Sequence, residues 1–348
     1  ELVHVVYVNG IRGKSTVTRM IDGGLRAGGW KVFCKTTGTV PMVIGVDGTA
    51  RPLVRRGRAN ISEQVRVLHR AVREGAQILV IECMAVDPAL QAVSQHRMVR
   101  ADIGVITNVR LDHTAEMGPT LEEICDSLSN TIPWNGTLFT ADGAFLDQLR
   151  TNGRRKNCRV ELAQPDSGLP DFDFPENVAL ALAVCREIGV DRDRALEGIL
   201  RYQPDPYALS LFRLPSGAAF VNAMSVNDPK STQLDYHRVA GRPGMVGRRL
   251  VLLINNRPDR GYRTEHMMMV ARGLEPEEIW LIGASQRAVR RTLRHILPDT
   301  PVRLFPGAEA LPLDSRGADT MIFAAGNLAG PGKALMERVR KEGEQSVL

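Results

Sequence analysis

The stretch VNGIRGKST, residues 8–16, gathers two glycines, a lysine and a hydroxyl at the spacing G-x-x-G-K-S, carried by Gly10, Gly13, Lys14 and Ser15. These residue types suit the binding of a phosphate. Glycines let main-chain N–H groups turn towards an anion, the N-terminus of a following helix adds positive potential, and the ammonium adds a full charge. Ser15 would set its hydroxyl on Mg²⁺. The longer form G-x-x-x-x-G-K-[ST] has a glycine where this chain has Val8, so a plain glycine turn with an exposed lysine is the competing reading.

Two further stretches carry chemistry. Glu82 ends the apolar run ILVIE, and in an open parallel sheet the carboxyl ends of the strands are where ligands bind. A carboxylate there suits a hard cation such as Mg²⁺, while pairing with a neighbouring arginine is the alternative. The stretch ITNVRLDHTAEMG presents Asn108, Asp112 and His113 together. His113 beside Asp112 is a candidate contact for a metal or a phosphate. No G-x-S-x-G elbow is present, which weighs against a serine hydrolase.

Short apolar runs alternate with amphipathic stretches, the pattern of an α/β fold with a largely parallel sheet. LVHVVYV, QILVIECM and ADIGVITNV read as strands, and Lys14 to Ala27 as the helix that follows the loop. Ile61 to Arg73, PTLEEICDSL and FPENVALALAVCREIG read as helices, the last closed by Gly189. Pro204 and Pro206 flank Asp205 and interrupt the pattern, which puts a domain boundary near residue 208. Beyond it AAFVNA, RLVLLINN, EIWLIG, VRLF and TMIFAAGN form a second series. The expectation is therefore a P-loop, mostly parallel-sheet ATPase domain over 1–208 and a smaller Rossmann-like α/β domain over 209–348.

With 43% apolar residues the chain can bury two cores, and 24% charged residues argue against disorder. Forty-five basic against 39 acidic residues give +6, which fits an anionic ligand. Aromatics at 5% offer no basic-aromatic run for stacking bases, so no nucleic-acid partner is expected. Five widely spaced cysteines without a C-x-x-C pair predict free thiols in a reducing compartment. No apolar run approaches 18 residues and no leader is visible. The expected location is cytoplasmic.

The order VNGIRGKST, KTTGT, IECMA, TNVRLDHTAEMG and PENVALALA resembles the Mur-ligase superfamily of ATP-dependent amide ligases, which includes the cell-wall peptide ligases and folylpolyglutamate synthetase. In that superfamily the loop reads G-x-x-G-K-[ST], so Val8 is a variant of the pattern and not damage to it. NGIRGKSTVTR, ECMAV, MGPTLEEI, NDPKST, NNRPDRGYRT and AGN make the chain most similar to the ligase subunit of poly-γ-glutamate synthase, the PgsB/CapB type, from Val8 to about Gly330.

The resemblance implies an ATP-dependent ligase that activates a glutamate γ-carboxylate as an acyl phosphate and joins glutamates, releasing ADP and phosphate. A folate-type polyglutamylase and a nucleotide-gated assembly subunit are the alternatives. It implies ATP and Mg²⁺ as cofactors, with Lys14, Glu82 and His113 in catalysis and Ser15, Glu82 and His113 at metal. Gly10, Ile11, Arg12, Gly13, Lys14, Ser15, Thr16, Asn108, Asn177 and Arg257 would hold the nucleotide. Lys35, Thr36, Thr37, Asn222, Asn227 and Asp228 would face the substrate, and Arg55, Arg56 and Arg58 could receive a polyanion. Implied partners are glutamate, poly-γ-glutamate and membrane subunits of a synthase complex, with membrane association through those subunits or an upstream segment, and a homo-oligomer is compatible with it. Two features depart from the cell-wall enzymes: no lysine lies between His113 and Gly136 to serve as their carbamylated residue, and QPDPYALS has no clear linker arginine.

Overall fold

A computed structural model describes residues 2–38, 40–55, 59–169, 174–205, 207–226, 228–256 and 261–346, the side chains of 261–263 excepted. The chain divides into two compact units, Glu1–Asp205 and Pro206–Leu348.

Among its described residues the first unit holds eight strands: β1 (His4–Asn9), β2 (Val32–Thr36), β3 (Met42–Ile44), β4 (Ala50–Pro52), β5 (Ile78–Glu82), β6 (Ile103–Ile106), β7 (Thr137–Thr140) and β8 (Arg159–Leu162). Their order is β4-β3-β2-β5-β1-β6-β7-β8. Pairings along the order from β2 to β8 are parallel, and the β2–β3 and β3–β4 pairings at one edge are antiparallel. Strand β1 lies between β5 and β6, so the chain changes side of β1 after β5. Such a switch point opens a crevice at the carboxyl ends of the strands.

Apolar side chains cover both faces of the central strands, the mark of a parallel sheet buried on each side. Val6, Val8, Ile78 and Val80 pack under helices Lys14–Ala27 and Pro175–Glu187, together with Met20, Ile21, Leu180 and Val184. Tyr7, Leu79 and Ile81 point to the other face, against Val67 and Ala71 of helix Glu63–Arg73. The helix expected from Pro119 starts at Leu121 instead. Thr120 caps it, accepting from Glu123 N while Glu123 reaches back to Thr120 N, and this reciprocal pair fixes the start.

The second unit holds β9 (Ser210–Arg213), β10 (Ala219–Asn222), β11 (Arg249–Asn256), β12 (Glu278–Gly283), β13 (Val302–Leu304), β14 (Thr320–Gly326) and β15 (Glu344–Ser346). Their order is β13-β12-β11-β14-β10-β9-β15. The five strands from β13 to β10 are parallel, and β9 is antiparallel to both β10 and β15. All five cysteines are free and buried. Burial pushes the thiols of Cys125 and Cys185 up to about 12.

Candidate functional site

The carboxyl end of β1 runs straight into the loop Gly10–Gly13. Gly10 has φ +124°, and a Cβ there would stand 2.1 Å from Thr107 Oγ1 at the end of β6, so no other residue fits. Gly13 has φ +79° and serves as the N-cap of helix Lys14–Ala27. The loop is fixed by its neighbours. Ile11 turns its side chain into an apolar cluster with Ile106, Val109 and Met117, and its N–H donates to Asn108 O at 3.2 Å, so it shapes the loop. Asn108 clamps the Arg12 peptide from both sides: its Oδ1 accepts from Arg12 N at 3.0 Å and its Nδ2 donates to Arg12 O at 3.1 Å. Thr107 Oγ1 donates to the same carbonyl at 2.6 Å. Asn108, expected at the nucleotide, thus holds the shape of the loop.

Lys14 curls over this loop and donates Nζ to Gly10 O at 2.8 Å and Ile11 O at 3.2 Å. Desolvation lowers its pKa, opposed chiefly by the negative charge of Glu82. Ser15, in the first turn, donates Oγ to Glu82 Oε2 at 2.7 Å, and Thr37 N donates to the same oxygen at 2.7 Å. Glu82 reaches them because β5 pairs with β1 in the register Val8↔Glu82. A carboxylate oxygen and a hydroxyl in contact, at the mouth of a phosphate loop, form a hard oxygen donor set suited to Mg²⁺. Thr16 follows in the same turn, half-buried.

On the β6 side, Arg12 Nη2 donates to Asp112 Oδ2 at 2.8 Å. His113 adopts φ +52° at the start of the short helix Thr114–Met117, with its Nε2 3.8 Å from Asp112 Oδ2. Desolvation lowers the pKa of His113, with Lys14 and Arg12 pushing the same way and Asp112 opposing. The neutral imidazole is thereby favoured, the form that binds metals. Asn177, on helix Pro175–Glu187, is buried with its Oδ1 against Gly13, 2.8 Å from where a Cβ would stand.

Lys35 departs from expectation. Its side chain is fully buried, with Nζ 3.0 Å from Glu63 Oε1 and 3.2 Å from Gln64 Oε1. Burial lowers its pKa, opposed mainly by Glu63. Gln64 also donates Nε2 to Glu82 O at 3.1 Å, so Lys35 braces the strand end behind Glu82 and does not line a surface. Thr36 is buried too, and its Oγ1 has no partner among the described residues. Arg55 forks onto Glu63 at 2.6 and 3.1 Å, which commits its guanidinium to that carboxylate. Arg56 and Arg58 lie outside the described residues.

In the second unit Asn222 is fully buried and donates Nδ2 to Tyr207 O and Ala208 O, while its Oδ1 accepts from Met224 N. Asp228 caps helix Pro229–Ala240 by accepting from Ser231 N at 2.8 Å. Both expected substrate contacts are therefore engaged with local main chain. Asn227 and Arg257 lie outside the described residues.

Sequence reasoning missed Glu63, Gln64 and Asp205. The Asp205 Oδ2 lies 2.6 Å, and Ser15 Oγ 3.4 Å, from the point where a Gly38 Cβ would stand, which brings that carboxylate to the edge of the Ser15–Glu82 pair. The only signal available was an acid held between two prolines.

Residues 8–161 match the Mur ligase middle domain, and residues 213–342 match the poly-gamma-glutamate synthase CapB C-terminal domain. Over 97% of its length the chain is 34% identical to the capsule biosynthesis protein CapB of Bacillus anthracis, of which it covers 76%. It is 34% identical over the same share to the PGA synthase CapB of Bacillus subtilis strain 168, of which it covers 90%. Among solved structures, E. coli FolC in complex with ADP and without folate substrate superposes with a TM-score of 0.72 at 16% identity, covering 98% of this chain and 90% of that one. The Yersinia pestis bifunctional folylpolyglutamate synthase/dihydrofolate synthase complexed with AMPPNP and Mn gives 0.71 at 14%, over 97% and 89%. At such identities these two structures are alike in fold.

Proposed function

The chain belongs to the CapB family of poly-γ-glutamate synthases, and from that membership and the loop geometry we propose that it is an ATP-dependent amide ligase that extends γ-linked glutamate chains. A free carboxylate does not form an amide in water unaided. In the reaction we assign, the γ-phosphoryl group of ATP passes to a glutamate γ-carboxylate, ADP leaves, an amine attacks the acyl phosphate, and phosphate departs. Both steps bring anions together, so the protein acts mainly by positioning and by compensating charge.

The observation that carries the reading is the meeting of Lys14, Ser15 and Glu82 at the carboxyl ends of β1 and β5. The main-chain N–H groups of Gly13–Thr16 would cradle the phosphates at the helix N-terminus. Lys14, which sits on its own loop carbonyls, would turn its ammonium to the transferred group. Ser15 and Glu82, with His113 on the β6 side, would hold Mg²⁺, which when bound neutralises phosphate charge. Arg12 and Asp112 would fix the orientation of His113, and Asn177 would limit the space beside Gly13 on the nucleotide side. Attachment to membrane subunits of a synthase complex belongs to the same proposal. Among the described residues no helix is long and apolar enough to cross a membrane.

The test is ADP release from ATP and Mg²⁺, with and without glutamate or short γ-glutamyl peptides. Wild type is expected to respond to glutamate, and Lys14→Ala and Glu82→Ala to lose at least about a hundredfold in rate. Stimulation by a pteridine-bearing acceptor and not by glutamate would replace this reading with a folate-type one.

A further inference from the structure

Helix Gln286–Ile296 carries Arg287, Arg290, Arg291 and Arg294 and no acidic residue. Their spacing of i, i+3, i+4 and i+7 places all four on one helix face, away from Val289 and Leu293, which are buried in the core of the second unit. Arg287, Arg291 and Arg294 are exposed and Arg290 is half-buried. None of the four pairs with an acidic side chain among the described residues. Other arginines of this unit do: Arg249 meets Asp319, Arg303 and Arg316 meet Glu278, and Arg338 meets Glu342.

At its N-terminal end the stripe runs into an open cavity of about 690 Å³ lined by Ser285, Gln286, Arg287, Leu304 and Phe305. Gln286 holds the two walls together, donating Nε2 to Gly283 O at 3.1 Å and Phe305 O at 2.8 Å.

Like charges three and four residues apart on a helix repel, so the stripe costs stability unless an external anion compensates it. The guanidinium fork matches carboxylate or phosphate oxygens in pairs, which a lysine ammonium cannot do. The helix face holds no aromatic side chain on which bases could stack, and Phe305 of the adjoining cavity is buried against Trp280. The helix's apolar residues are turned into the core, leaving little to insert into a lipid surface. What remains is a chain with many carboxylates, for which several weak pairs act together.

We propose that the arginine stripe and its adjoining cavity form a binding track for a polycarboxylate. Identifying that polycarboxylate as the growing γ-glutamyl chain rests on the reaction assigned above. The track holds the polymer by charge, independently of the phosphate loop.

The test uses the full chain and fluorescently labelled poly-γ-glutamic acid of defined length, with binding followed by fluorescence anisotropy over a salt series. Wild type is compared with variants in which all four arginines become Gln or all four become Lys. A double variant, Arg291→Gln with Arg294→Gln, changes only two exposed positions away from the cavity. Glutamine and lysine are close to arginine in helix propensity, and the unfolding temperature of each variant checks the fold. The fourfold Gln variant is expected to bind roughly tenfold to a hundredfold more weakly, with a shallower dependence of affinity on salt. The Lys and double variants should fall in between.

Equal affinity in wild type and the Gln variants overturns the track. Tighter binding of wild type to a single-stranded oligonucleotide or to phosphatidylglycerol vesicles than to the polymer, at the same salt, overturns it too. Glutamate-dependent ADP release is read on the same wild-type preparation. If release ignores glutamate while polymer binding still depends on the stripe, the ligase reading fails and the track stands. If release responds to glutamate while polymer binding ignores the stripe, the reverse holds.

Discussion

At the scale of single residues, space beside the Ser15–Glu82 contact is tightly set. A Cβ on Gly38 would lie 2.6 Å from Asp205 Oδ2 and 3.4 Å from Ser15 Oγ. The shorter distance is well inside normal contact, so in Gly38→Ala the Asp205 carboxylate must move. Overpacking of this kind costs about 1–3 kcal/mol, and the displaced group sits next to the hydroxyl that meets Glu82. We expect Gly38→Ala to lower the unfolding midpoint by a matching amount and to slow ADP release. Measured against Asp205→Ala alone, the same Gly38→Ala change should cost less, because the clash partner is gone. A double-mutant cycle measures this coupling, expected at about 0.5–3 kcal/mol. A cost unchanged by Asp205→Ala would place the strain elsewhere.

At the scale of elements, β2 is held at its carboxyl end by a buried charge network. Glu63 sits between Lys35 and Arg55, with contacts of 3.0 Å and 2.6 Å. Removing one partner of a buried pair costs about 3–5 kcal/mol, because the other is left uncompensated. The two sides are unequal here. Lys35→Met leaves Glu63 with Arg55, whereas Glu63→Ala leaves Lys35 fully buried with, among the described residues, only Gln64 and Met84 in hydrogen-bond reach. Glu63→Ala should therefore lower the urea midpoint more than Lys35→Met, at nearly constant slope. Equal costs would show that Arg55 does not support Glu63. This network also shows where the sequence stops being legible. Strands β1, β5 and β6 read clearly because they are apolar on both faces, and the loop and its helix read clearly from glycine and lysine spacing. In VFCKT the polar end of β2 hides a strand, and Lys35 reads as a free cation because Glu63 is far along the chain. The β3–β4 hairpin and β15 are three-residue strands, too short for periodicity to register. Asn108, Asn222 and Asp228 carry the types of ligand residues, yet each holds local main chain by hydrogen bonds, which only folded geometry reveals.

At the scale of the whole molecule, each cluster of buried apolar residues lies within one of the two units. A unit with its own sheet and core is expected to melt on its own terms, so one two-state transition should not describe the chain. Scanning calorimetry is expected to resolve two transitions. The phosphate loop belongs to Glu1–Asp205, so a non-hydrolysable ATP analogue with Mg²⁺ should raise the transition of that unit selectively. At a ligand concentration near 100 times Kd the stabilisation is about 2.7 kcal/mol, or about 5–10 °C for a unit of this size. In Lys14→Ala the analogue should move that transition much less, since the ammonium that compensates phosphate charge is gone. Hydrogen exchange at residues 10–16, followed through the same titration, assigns the shifted transition to the loop-bearing unit. Were both transitions to rise together, the ligand's binding energy would be shared with Pro206–Leu348, and the nucleotide site could not be ascribed to the first unit alone.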